Sequence, residues 1–279
     1  MSQDNTQYNI FTWGPTLATT ILLVAMWASL YQIHSSGHVL QIDRNTVISK
    51  DIIDAAGITA LVIVVVGVLI RIRRKDVAIL IQEIVGEIKS PRNHSTNGGK
   101  PLINWDTVKT TLRIGVYEVL LLGKLGKCED FQQWLSHFMI MWGFIGLGAT
   151  TTLNAIVNFE AVPLPLLHPV RIVGNLSGIV FMTGLTLALT RRLFSPHVKS
   201  TTTISDWLFL IAMYGTGATG FMVQWYADTA NQLGSAASYV VHLIFVALLL
   251  VSAPWTKFIH ALWRPSWIVY SRLVANRQP

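Results

Sequence analysis

The sequence predicts an all-α integral membrane protein, a bundle of about six transmembrane helices, and three observations carry that prediction. Apolar residues make up 52% of the chain and charged residues only 13%, where soluble domains carry about 25% charged residues. Six apolar runs approach the roughly 20 residues that a helix needs to cross a bilayer core. The charges fall between those runs, so the net charge of +7 reflects membrane topology, and a nucleic-acid partner is excluded.

The elements follow in order. Met1 to Phe11 contain no Lys or Arg and so lack the basic region of a signal peptide, which makes the first run, Trp13–His34, a permanent helix. Ile52–Ile72 is the second, and residues 1–72 form an N-terminal two-helix transmembrane hairpin. Residues 73–130 form a basic cytoplasmic loop broken at Ser90–Pro101. Its amphipathic pieces, Val77–Ile88 and Asp106–Leu122, suit the membrane surface or a partner protein. A four-helix core over 131–262 follows, with runs Phe131–Val157, Val170–Leu193, Asp206–Trp225 and Ser235–His260, then a basic tail over 263–279. Ser205 and Asp206 are the predicted cap of the third core helix, and Ser195–Pro196 closes the exit from the second. A single cysteine, Cys128, excludes an internal disulfide, a Cys₄ zinc site or an iron–sulfur cluster held by this chain alone.

The basic residues orient the bundle. Of 21 Lys and Arg, eleven lie in 71–127, three are Arg191, Arg192 and Lys199, and four lie at 257–277. Only Arg44, Lys50 and Arg171 fall on the opposite side. The positive-inside rule therefore predicts that both termini and the long loop are cytoplasmic.

His242 and His260 are 18 residues apart, five whole turns on one continuous helix, so both rings would leave the same face; Pro254 interrupts the run between them, and a kink there would turn one ring relative to the other. At the usual rise they sit roughly 27 Å apart, close to the thickness of a bilayer core. That geometry can hang two haems in a stack across a membrane, although two unrelated interfacial histidines would give the same spacing. His137, about two turns into the first core helix, matches His260 in depth, and the pair suits one haem near the cytoplasmic face. His168, in Leu167-His168-Pro169, is the candidate at the depth of His242; an interfacial cap residue is its alternative. Neutral imidazoles suit a low-spin bis-His iron that carries electrons. His34 and His38 read as residues of a solvated outer loop, and His94 and His197 fall in cytoplasmic loops. Gly143, Gly146, Gly148, Gly174, Gly178, Gly215, Gly217 and Gly220 fit either a flat cofactor or close helix approach.

From Leu125 onward the chain resembles the γ subunit of respiratory nitrate reductase and the membrane cytochrome b subunits of heterodisulfide reductase and of the sulfite-reduction-associated complex. The resemblance rests on Arg191-Arg192-Leu193-Phe194-Ser195-Pro196 with Thr201-Thr202-Thr203 and Asp206. It rests also on Val241-His242-Leu243 through Lys257 to Trp263, and on Leu135-Ser136-His137 with its glycine-rich continuation. It implies a haem-binding bundle in a prokaryotic inner membrane, with two haems b linking a quinone pool to a cytoplasmic iron–sulfur subunit. In that pattern His137 and His260 hold the inner haem, His242 the outer one, and Arg192 lies near the inner propionates. One position departs: where the nitrate reductase branch has a second histidine, ten residues after the first, this chain has Leu147. His168 is then the expected substitute, and His168, Arg171 and Gly146 are the expected surroundings of the quinone. The stretch Glu118–Asn154 is closer to the heterodisulfide and sulfite-associated branch, so nitrate is not carried over as substrate. The expected function is a di-haem b electron-transfer subunit; the alternatives are a haem-free or mono-haem anchor of a redox complex and a six-helix transporter.

Overall fold

The computed structural model describes residues 2–36, 42, 47–72, 109, 113, 116, 131–157 and 164–256. Among them the chain forms helices α1 (Ser2–Ser35), α2 (Lys50–Ile72), α3 (Phe131–Val157), α4 (Pro169–Phe194), α5 (Pro196–Thr201), α6 (Ile204–Asp228) and α7 (Gln232–Ser252). A 3₁₀ turn, Ala253–Trp255, follows α7. Five of these helices, α1, α2, α3, α4 and α7, are long and apolar enough to cross a membrane. α6 has the length, but Tyr214, Gly215, Thr216, Gly217, Thr219 and Gly220 dilute its apolar character. The all-α membrane architecture is as predicted. The amphipathic pieces of the long loop, Cys128, His94, His38, His260 and the basic tail lie outside the described residues.

α3 spans the predicted residues, and the other boundaries move for local reasons. α6 begins at Ile204 because Thr203 is its cap: the Asp206 carboxylate accepts the Thr203 N–H at 3.0 Å and its hydroxyl at 2.8 Å. This corrects the assignment of the cap to Ser205. α5, absent from the sequence prediction, starts at Pro196, whose missing N–H is harmless in a first turn. α7 starts at Gln232, where the Asn231 side-chain oxygen accepts the Gly234 N–H at 2.8 Å. The predicted continuous helix from Ser235 to His260 is not formed. Pro254 lacks an N–H and its ring crowds the carbonyl four residues back, so α7 stops at Ser252 and tightens into the 3₁₀ turn. The five-turn register between His242 and His260 is broken there, at the proline that the sequence marks as an interruption.

The chain divides into two compact units, Met1–Thr59 with Asp130–Leu250, and Ala60–Glu129 with Val251–Pro279. In the second unit Gly67 of α2 meets the turn after α7; a Cβ on it would lie 2.6 Å from the Pro254 ring. In the first, α4 is the central helix and the most deeply buried of the membrane-length helices. α3 and α1 pack along α4, and α6 joins them.

Apolar side chains gain little by leaving lipid for a helix interface, so close backbone approach and polar pairing have to hold such a bundle. α3 meets α4 through a stripe of small residues. A Cβ on Gly143 would lie 2.6 Å from the Phe181 backbone nitrogen, one on Gly184 2.8 Å from Met139, and one on Gly146 would overlap the Ser177 hydroxyl. α1 meets α4 through hydroxyls. Thr20 and Thr183 pair at 2.8 Å, Thr186 donates to Thr19 at 3.4 Å, and Thr190 donates to the Thr12 carbonyl at 3.3 Å. Gln132 of α3 joins the seam by donating to the Thr12 hydroxyl at 3.2 Å. Phe11 stacks on Phe194 at its end, with ring centroids 5.3 Å apart.

Glycines on opposite sides of one helix therefore differ in what they tolerate. Gly143→Ala should destabilise the solubilised protein by about 1–3 kcal/mol through overpacking on Phe181. Gly148→Ala, with no described atom within 4 Å of the added methyl, should leave its melting temperature unchanged in a thermal unfolding assay.

Candidate functional site

α6 and α7 share a contact that carries a histidine. On α6, Thr216, Thr219 and Gly220 occupy one face by the three- and four-residue spacing of a helix. Opposite them stands His242 of α7, whose Nδ1 lies 3.1 Å from the Thr216 carbonyl and 3.1 Å from the Thr219 hydroxyl. The Thr216 carbonyl can only accept, so it fixes the proton on Nδ1 and leaves the lone pair on Nε2. A carbonyl holding one ring nitrogen is the usual arrangement behind a metal-bound imidazole. Gly220 makes the approach possible: a Cβ there would lie 3.3 Å from His242 Cε1, and one on Gly215 would lie 2.5 Å from Phe245 of the same α7 face.

His137 occupies a different environment. The buried stripe of α3, Gln132, Ser136, Gly143 and Thr150, faces α4, and His137 sits on an exposed face of the same helix. Gly148 is three turns further along that face and has open space around it among the described residues. A flat group could lie against this strip. Its expected second ligand, His260, is outside the described residues.

His168 is the N-cap of α4, where its Nδ1 accepts the Val170 N–H at 3.3 Å. With Nδ1 so used, the neutral ring carries its proton on Nε2, and iron could be bound through Nε2 only after the cap is released. Arg171 is committed elsewhere. Its guanidinium forms a two-armed ion pair with Asp228 at the end of α6, one arm at 3.3 Å, and donates to the Leu164 carbonyl at 2.9 Å. Gly146 is occupied by Ser177 and serves the α3–α4 contact. Arg192 is half-buried in the last turn of α4, donating to the Ala188 carbonyl at 3.1 Å. The structure thus groups Arg171 with Asp228 and His242 with α6.

Asp228, Thr216 and Thr219 are site residues that sequence reasoning missed. Asp228 carries its own signal: an acidic residue at the end of an apolar helix is costly unless paired. Its side chain is 3% exposed, and His34 Nε2 lies 3.9 Å from Oδ1, the oxygen that also accepts the 3.3 Å arm of Arg171. His34 is therefore the half-buried last turn of α1, with Nδ1 2.9 Å from the Leu30 carbonyl, instead of the solvated loop residue expected. The glycine runs resolve in favour of helix approach at Gly143, Gly146, Gly178, Gly215 and Gly217, each of which meets protein atoms. Among the described residues no three His, Cys, Asp or Glu side chains converge; a bis-His iron needs only two.

Breaking the Asp228 pair should be costly in either direction. Arg171→Ala takes the guanidinium from a buried carboxylate, at up to about 3–5 kcal/mol, and Asp228→Ala, which frees a guanidinium that is only half-buried, should cost less. The double variant should recover part of that loss in a double-mutant cycle on the melting curve.

The nitrate reductase gamma subunit family matches residues 137–237, a stretch that starts on His137 and ends five residues before His242. The chain is also similar to one of the subunits of the dihydromethanophenazine:CoB–CoM heterodisulfide reductase of Methanosarcina thermophila, at 24% identity over 187 residues. That match takes in 62% of this chain and 66% of the relative, just under two thirds of its length. No solved structure matches the chain. These similarities, at low identity, support the resemblance to membrane cytochrome b subunits and a membrane redox subunit as the broad class.

Proposed function

We propose that this protein is a di-haem b electron-transfer subunit that links a membrane quinone pool to a cytoplasmic iron–sulfur partner of the heterodisulfide reductase type. We place it in a prokaryotic inner membrane with both termini cytoplasmic, as the distribution of Lys and Arg favours. The observation that carries the reading is the His242 ring, held through Nδ1 against the Thr216 carbonyl and the Thr219 hydroxyl, the kind of contact that orients a metal-bound imidazole.

In this reading His137 and His260 hold the haem nearer the cytoplasm, His242 holds the outer one, and Arg192 pairs with propionate. A haem b between two imidazoles supplies one-electron transfer and leaves no iron position for substrate. The chain's share is to fix ring orientation, depth and dielectric. Thr216 and Thr219 set the His242 tautomer. The hydroxyl seam and the α3–α4 glycine contacts hold α3, and with it the height of His137.

The outer site has a second form, which one observation favours. His168 caps α4 through Nδ1, and Leu147 stands where the nitrate reductase branch has its histidine. If the cap is kept, the protein is a mono-haem subunit with iron at His137 and His260. Haem content of single variants separates the two. In the di-haem form, His242→Ala and His168→Ala each lower bound haem from about two to about one per chain, and Thr219→Val weakens haem retention about tenfold. Haem content unchanged by both His242→Ala and His168→Ala would show that the outer site does not exist.

A further inference from the structure

Three helices share one charged cluster at their ends. α1 brings His34 and α6 brings Asp228, and α4 brings Arg171, which also donates to the Leu164 carbonyl. Asp228 Oδ1 serves two of them: Arg171 donates to it at 3.3 Å, and His34 Nε2 stands 3.9 Å away. Earlier along both helices a cavity of about 550 Å³ opens between residues 15–26 of α1 and 214–226 of α6. α1 and α6 therefore meet again beyond that cleft, where the Ile42 N–H also donates to the Ala227 carbonyl at 3.4 Å.

The His34 ring is held so that its proton count decides what Asp228 meets. Its Nδ1 lies 2.9 Å from the Leu30 carbonyl, an oxygen that can only accept, so Nδ1 carries the hydrogen of the neutral ring. Nε2 then turns a lone pair towards the carboxylate, at a separation beyond hydrogen-bond reach. A second proton can enter only at Nε2. It turns that lone pair into a charged N–H donor facing Oδ1, and charge-assisted bonds of this kind close to about 2.7–2.9 Å. The His34 side chain is 17% exposed, so the ring exchanges protons with solvent while the bundle stays closed. The groups that bear on this titration are the Asp228 carboxylate from α6, the Arg171 guanidinium from α4 and Tyr31, exposed one turn earlier on α1. His38, Asp43 and Arg44 follow α1 in the sequence, outside the described residues.

We propose that His34 is a pH-operated latch: proton uptake at Nε2 ties the end of α1 to Asp228 of α6, and proton loss releases it. Arg171 stays paired with Asp228 in both states, so release leaves no buried charge uncompensated. Histidine is the side chain that changes charge between pH 5 and 8, and the latch works in that window. The protonated ring has a partner in the folded chain that the unfolded chain lacks. Its stabilisation is therefore full at the acid end of the window and disappears at the alkaline end. The side of the membrane whose pH is sensed rests on the orientation proposed above, which turns this cluster outward. In detergent both faces meet one buffer, so failure of the latch and failure of that orientation are distinguishable.

The test uses the full-length protein purified in detergent, with melting temperatures of the wild type and His34→Asn taken at about pH 5.5 and about pH 8. The Asn amide can replace Nδ1 at the Leu30 carbonyl but is too short to reach Asp228. Comparing the two proteins at each pH cancels the titration of every other group. The substitution should lower the melting temperature by about 2–4 °C at the acid pH, the size expected of one charge-assisted bond, and by less than about 1 °C at the alkaline pH. In an Asp228→Asn background the effect of His34→Asn should be the same at both. A loss in the parent protein that is equal at the two pH values, or larger at the alkaline one, would overturn the latch. Should Asp228→Asn fail to fold, amide hydrogen exchange over residues 30–36 decides. The ratio of exchange rates, His34→Asn over wild type, should rise about fivefold from the alkaline to the acid pH, and a constant ratio contradicts the proposal.

Discussion

The constraint on which this bundle depends is how closely other helices can approach α4. Lipid tails are as apolar as the side chains, so burial alone gives the helices little reason to associate. The chain answers with missing side chains and with hydroxyls. Gly143 lets α3 reach the backbone at Phe181, and Gly184 lets α4 reach Met139 and Ile140 in return. Thr183, Thr186 and Thr190 of α4 face Thr12, Thr19 and Thr20 of α1, where each hydroxyl also bonds a carbonyl or hydroxyl nearby. Phe181 is 1% exposed as a consequence.

The candidate site inherits its geometry from those contacts. α6 is set against α4 by Gly217 on Met182 and by Phe221 on Gly178, and Arg171–Asp228 joins the ends of the two helices. With α6 fixed, its opposite face presents the Thr216 carbonyl, the Thr219 hydroxyl and the gap at Gly220 to α7. His242 has one orientation there because the backbone of α6 has one position. The ring's tautomer is thus decided by helix packing two layers away.

Much of this was legible in the sequence, and what was not has physical causes. Apolar run length alone located α3 at both ends, and the positions of Arg and Lys marked the connecting segments. The start of α6 failed where a cap outweighed hydropathy, since Thr203 with Asp206 starts it early; the end of α7 falls at the interruption that Pro254 marks in the sequence. Depth makes His168 a candidate ligand and leaves a helix cap as its alternative. Pro169, at a first helical position, is the sequence signal that favours the cap. The Thr216–His242 and Arg171–Asp228 pairs join residues 26 and 57 positions apart, and periodicity within one helix cannot set the register between two. The glycines were visible, but whether they admit a cofactor or a neighbouring helix depends on what stands opposite.

The measurement that bears most directly on the account is the haem stoichiometry of the isolated wild-type chain, taken with its reduced optical spectrum. Two bis-imidazole sites predict about two haems per chain and b-type bands from low-spin iron. A well-folded chain purified with no haem, which takes up none on reconstitution, would contradict it.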